Sequence, residues 1–145
     1  MQNSSGSMRF EIPGKPIPQT RARISKNFMY DPLFQVKRNM RLIIKEQLPE
    51  GFKPYTEPIE VKVIFYMPTP KALPKHRREA LKAGKEIPHE KLFDVDNGLK
   101  FLFDSFNGVL WEDDRLIWKV SVKKVWALEG KTVFYLNPTN GIKKI

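Results

Sequence analysis

A chain of 145 residues with 26 Lys+Arg against 16 Asp+Glu, and so a net charge of +10, has room for one hydrophobic core and attracts polyanions whatever their sequence. With no cysteine and two histidines, disulfides, thiolate zinc sites and cysteine nucleophiles are excluded, which leaves oxygen as the donor for any bound metal. No run of about 18 apolar residues and no apolar segment next to Met1 is present, so neither a spanning helix nor a signal peptide is expected, and the expected location is cytoplasmic with no membrane partner.

Residues 1–7 are polar and read as a flexible leader, leaving residues 8–145 as a single domain. Residues 9–12 form a short strand candidate and run into a Pro- and Arg-rich segment, residues 13–30, expected to be a basic loop. Asp31-Pro32 is a helix start and Pro49 a stop. Between them Leu33, Val36, Met40, Ile43, Ile44 and Leu48 recur at helical spacing, with Lys37, Arg38, Arg41 and Lys45 elsewhere on the wheel. One face should pack and another be basic. Ile59, Val61, Val63, Phe65 and Met67 alternate with more polar residues, the period of a strand. A basic excursion follows over residues 68–91, with Pro74 and Gly84 bracketing a short helix. Leu99, Leu102, Phe103 and Phe106 then define a second strong helix starting near Asp96 or Asn97 and stopping at Gly108. Leu116, Trp118, Val120 and Val122 alternate with polar residues, and after a turn at Glu129-Gly130 a last strand spans residues 131–136; the pair reads as a hairpin. The order implies an α+β fold, a mixed sheet packed with two main helices.

Asp94 and Asp96, two residues apart at the end of an extended segment, point to the same side, and Asp113 and Asp114 occupy the next turn after the helix. If that helix packs back across the sheet, Asp114 can meet the first pair. Two such carboxylates about 5 Å apart at an effective dielectric near 20 repel by roughly 3 kcal/mol, which favours raised pKa values or a bound divalent ion. Without thiolates, hard Mg²⁺ is the natural choice, with Mn²⁺ able to substitute. Lys100, one turn into the helix, could neutralise charge developing on a phosphorus centre. The chemistry these residues suggest is metal-assisted phosphodiester hydrolysis with one or two ions. Each feature has a plain structural alternative: an Asp at a helix start is often only a cap, Asp-Asp before a strand only a turn, and Lys100 with Asp104 only a surface ion pair. Asp94-x-Asp96-x-Gly98 is not an EF-hand, because the glycine is early and position twelve is Ser105.

The stretch 88–118 resembles the signature of the RusA-type Holliday-junction resolvases, D-x-D-N-x-x-K-x-x-x-D-x-L-N-G followed by D-D. Asp94, Asp96, Asn97, Lys100, Asp104, Asn107, Gly108, Asp113 and Asp114 match in order and spacing. A second block resembles the family's I-P-G-K-P-x-P, R-P-R and Y-x-P pattern, which here reads Ile12 to Pro18, Arg21-Ala22-Arg23 and Tyr30-Asp31-Pro32. The resemblance implies a homodimeric, Mg²⁺-dependent endonuclease of bacterial or phage origin that cuts four-way DNA junctions symmetrically in recombination and repair. It assigns metal ligation to Asp94, Asp96 and Asp114, catalysis to these and Lys100, and supporting roles to Asn97 and Asp113. This chain departs from the pattern at Leu92-Phe93 (for Lys-Pro), Gly98 (for Leu), Phe106 (for Leu) and Leu116 (for Gln).

Arg21, Arg23 and Lys26 in one loop and Lys75, Arg77 and Arg78 in another are the DNA-binding candidates, weighed against simple solvated charge. Phe101 lies off the apolar stripe and is expected beneath the long basic loop, with a dimer surface or DNA-strand separation as alternatives. His76 and His89 are expected at the surface without chemistry. A non-catalytic branched-DNA-binding protein and an RNA-binding module are the competing readings; the second lacks the paired exposed aromatics of an RNA-recognition sheet.

Overall fold

The computed structural model describes residues 6–20, 23–25, 28–139 and 145. Along the chain, β1 (Met8–Pro13) leads into a small ribbon of β2 (Arg23–Ser25) and β3 (Phe28–Tyr30), then α1 (Phe34–Lys45) and β4 (Ile59–Pro68). There follow α2 (Lys75–Lys82), α3 (Val95–Ser105), a 3-10 turn at Asp114–Leu116, β5 (Ile117–Ala127) and β6 (Lys131–Pro138). The main sheet runs β1-β6-β4-β5, with β4 parallel to β5 and antiparallel to β6, and β6 antiparallel to β1. This is the expected α+β fold with a mixed sheet. The basic loop expected over residues 13–30 carries the β2–β3 ribbon in its second half.

Alternation builds the core. Met8, Phe10 and Ile12 of β1, the five apolar residues of β4 from Ile59 to Met67, and Phe134 and Leu136 of β6 are all buried on one sheet face. Onto that face pack Ile44 of α1, Leu102 of α3 and, past the helix, Phe106, Leu110 and Trp111. Phe106 stacks on Phe134 at 5.7 Å, so the aromatic that replaces the family's leucine is a core residue.

Three sequence expectations change. β5 and β6 do not form a hairpin: β4 lies between them, and the link over residues 128–130 carries the chain across the end of β4. Alternation reports which face of a strand is buried but not which strand lies beside it. α1 begins at Phe34, two residues after Pro32, because Asp31 spends its carboxylate on the Leu33 N–H at 2.9 Å and on Lys37. The expected stripe of α3 does face the core, with Leu102 and Phe106 buried and Leu99 and Phe103 partly buried against it, but the buried face also takes in Gly98, Phe101 and Ser105, which the stripe left out. Small residues mark the closest approach: a Cβ on Gly98 would lie 2.7 Å from Phe93 and 2.8 Å from Phe65. Ser105 resolves its own burial by donating its hydroxyl to the Phe101 carbonyl at 2.6 Å.

Candidate active site

The carboxylates expected to act are held by α3 and the turn after it. Asp94 is the N-cap residue of α3, yet its side chain makes no capping hydrogen bond, so the plain structural explanation of that aspartate does not hold. Asp96 is exposed in the first turn. Asp114 opens the 3-10 turn and accepts a long hydrogen bond, 3.4 Å, from the Asn107 side chain. Among the described residues none of the three is in an ion pair. Asp113 is different: it caps the 3-10 turn by accepting the Arg115 N–H at 3.2 Å and pairs with that guanidinium at 3.7 Å. Its turn-forming role is explained by these contacts.

Lys100 and Asp114 come together on the wall of one open groove of about 540 Å³, with Gln19, Asp31, Lys37, Phe103, Asp104, Ile117 and Val120. Asp94 and Asp96 lie outside that lining, and among the described residues no three carboxylate or imidazole groups are gathered to hold a metal ion. The donor chemistry still suits a hard cation. Asp94 and Asp96 at the start of α3 and Asp114 in the 3-10 turn are carboxylates without cationic partners among the described residues, and the chain offers no thiolate to compete. Asn97 contributes its backbone: its carbonyl accepts the Gln19 N–H at 2.9 Å, tying the Pro-rich segment to the start of α3.

Two residues, one lining this groove and one bonded to its Asp114, had roles the sequence reading did not assign. Lys37 was grouped with a basic face, but its side chain is 5% exposed and its ammonium bridges Asp31 at 2.5 Å and Asp104 at 2.6 Å. Asp104 therefore pairs across to α1 and not with Lys100. Arg41, one turn later, donates to the Ser105 carbonyl at 2.6 Å, so two cations of α1 meet the negative end of α3. The second residue is Asn107, whose side-chain oxygen accepts the buried Trp111 indole N–H at 2.8 Å while its amide reaches Asp114. It ties Asp114 to the core. The only sequence signal for either was Asn107's place in the matched motif.

The remaining candidates are scattered. Lys75, Arg77 and Arg78 sit on α2, which buries no residue; Arg78 is partly covered and reaches the Lys71 carbonyl at 3.3 Å. Arg21 and Lys26 lie outside the described residues, as does the side chain of Arg23. Phe101 is buried and lines a small cavity with Pro16, Ile17 and Met40, so it packs beneath the proline-rich segment. His76 is exposed on α2, but His89 is not a surface residue. It packs edge-on against Trp126 at 4.4 Å, and burial, with Lys124 nearby, lowers its pKa.

Fold and groove thus define a small α+β protein in which Lys100 of α3 and Asp114 of the 3-10 turn share one groove wall. Residues 13–135 match the family model of endodeoxyribonuclease RusA, and the chain belongs to that family of nucleases. It is also 30% identical over 132 residues to the uncharacterized protein YqaN of Bacillus subtilis (strain 168), covering 86% of this chain and 91% of that protein. No helix among the described residues is long and apolar enough to cross a membrane.

Proposed function

We propose that this nuclease resolves four-way DNA junctions by paired, symmetric, Mg²⁺-dependent phosphodiester cleavage, acting as a homodimer in recombination and repair. The observation that carries the proposal is the shared groove, in which Lys100 and Asp114, separated in sequence by the second half of α3 and the loop after it, face the same open space. Asp94, Asp96 and Asp114 would hold the ion. When bound, Mg²⁺ or Mn²⁺ supplies Lewis acidity at the scissile phosphate and a water of lowered pKa. Lys100, exposed and without an ion pair among the described residues, places a cation where charge develops on the phosphate oxygens. Asn107 orients Asp114, and Gln19 with Asn97 fixes the start of α3. A two-fold dimer presents two equivalent sites to the two equivalent strands of a junction.

The test compares wild type with Asp96→Asn on a labelled four-way junction, a matched duplex and a single strand, with Mg²⁺ or chelator. Paired nicks on the junction alone, dependent on metal and lost in the variant while junction binding persists, are expected. Cleavage that survives in the variant, or that ignores chelator, rejects the assignment.

A further inference from the structure

The β2–β3 ribbon holds large apolar side chains in water. Ile24 is 76% exposed and Met29 69% exposed, and the two are direct partners in the antiparallel register. Cross-strand partners share a face, so they form one apolar step. Neither belongs to the hydrophobic core, and a lone two-stranded ribbon gains little stability of its own. Folding does not explain them.

Both feet of the ribbon stand in the wall of the candidate active groove. Before it, Gln19 lines the groove and donates its backbone N–H to Asn97 at the start of α3. After it, Asp31 lines the same groove and is pinned by the buried Lys37. Between Glu11 and Asp31 the sequence has no acidic residue and has Lys15, Arg21, Arg23 and Lys26. That charge selects a polyanion as the partner, and an apolar step in so basic a stretch of sequence suits the bases of a nucleic acid as the cations suit its phosphates.

We propose that the Ile24–Met29 step is a wedge that enters the branch point of a four-way junction and stacks on the base pairs there, making the ribbon a junction-selecting element. The proposal rests on the junction-cleaving function put forward above. Inserting an apolar side chain between base steps requires unstacking them. In a continuous duplex that cost is paid in full, whereas at a branch point the stack is already interrupted, so the wedge enters there most cheaply. Selectivity follows from the difference. The buried Phe101 cannot supply this contact.

The experiment uses junctions carrying 2-aminopurine at the branch point or midway along an arm, with chelator to block cleavage, and compares wild type with the double variant Ile24→Ser/Met29→Ser. Both side chains are exposed, so the variant should keep its thermal midpoint. Wild type should raise fluorescence at the branch point and not in the arm. The variant should lose most of that rise, and its preference for junction over duplex should fall about tenfold, the size of one base-stacking contact. A variant matching wild type in both readouts overturns the wedge. So does one that loses dimer mass in sedimentation yet keeps the fluorescence rise, which makes the step a face between copies. If wild type cuts junctions beside an unaffected variant, the wedge alone fails; if wild type binds no junction, wedge and function fail together.

Discussion

Lys37 lies between two carboxylates that are themselves open to solvent, with side-chain exposures of 31% at Asp31 and 56% at Asp104 against 5% for the lysine. That asymmetry decides what each substitution costs. Lys37→Met leaves two aspartates that water can solvate, and should cost about 1 kcal/mol. Asp31→Asn/Asp104→Asn strands a buried ammonium and should cost about 3 kcal/mol or more. Urea denaturation at pH 7 checks the order; a costlier lysine variant contradicts it. The hydrogen bond from Lys37 holds Asp31 below the usual carboxylate range. Burial pulls Lys37 down, but Asp104 and Asp31 outweigh it and hold its pKa above the usual lysine range. Asp31's contribution is therefore complete above its unfolded pKa of about 3.9 and is lost as pH falls through the lower folded value; Lys37's is complete below about 10.4 and is lost as pH rises through the raised one. The stability gap between wild type and Lys37→Met should be flat from about pH 4 to 10 and shrink beyond both ends. No periodicity could have shown this, because a lysine on an amphipathic helix reads as surface until the facing helix is in place. The same holds for Gly98. Its departure from the family's leucine and the departure at Phe93 form one packing exchange, since the Phe93 ring occupies the space a side chain at 98 would need. Gly98→Leu should destabilise by about 2 kcal/mol through overpacking. Adding Phe93→Ala should recover part of that loss in thermal melts, and a strictly additive double variant would refute the exchange.

At the scale of elements, the strands and helices were legible because each has its own period: β4 alternates, and α1 and α3 repeat every three to four residues. The neighbours of β5 were not. A run of alternating residues followed by Glu-Gly looks like a hairpin from within, and nothing inside it shows that β4, which ends at Pro68 long before β5 begins at Ile117, lies between the two strands. The structure accommodates this at Gly130. A Cβ there would lie 2.9 Å from the Lys15 Cα and 3.1 Å from the Pro68 ring, while the Gly130 carbonyl accepts the Gly14 N–H at 3.1 Å. Pro68 ends β4 where the link crosses, and needs no ladder donor there. Gly130→Ala must push backbone against backbone, so it should lower stability by about 1 to 3 kcal/mol. Gly84→Ala is the contrast: its Cβ meets nothing, and only its positive φ of 86° resists. Calorimetry should rank Gly130→Ala as the more damaging; equal midpoints would show that the crossing is looser than this packing implies.

Across the whole molecule the charge is uneven in use. Many carboxylates are spent on cations, Glu11 on Lys131, Glu60 on Lys119 and Glu86 on Lys123 among them, whereas Asp94, Asp96 and Asp114 are left without such partners among the described residues. The surplus cations gather in segments that bury little, and α2 is the clearest: it buries no residue and carries Lys75, Arg77, Arg78 and Lys82. Composition alone made the polyanionic partner legible; which cations face it depends on tertiary placement that composition lacks. If about six cations meet phosphates, the logarithm of the binding constant should fall with the logarithm of salt at a slope near −5. Lys75→Gln/Arg77→Gln should then reduce that slope by about two and weaken junction and duplex binding alike, because phosphate contacts carry no structural preference. The same variant should keep its thermal midpoint, since Lys75 loses only a 3.9 Å exposed pair with Glu79. Titrations of labelled junction and duplex across a salt series separate the outcomes. An unchanged slope turns α2 away from the DNA, and a loss confined to the junction would make α2, and not the ribbon, the element that reads the branch.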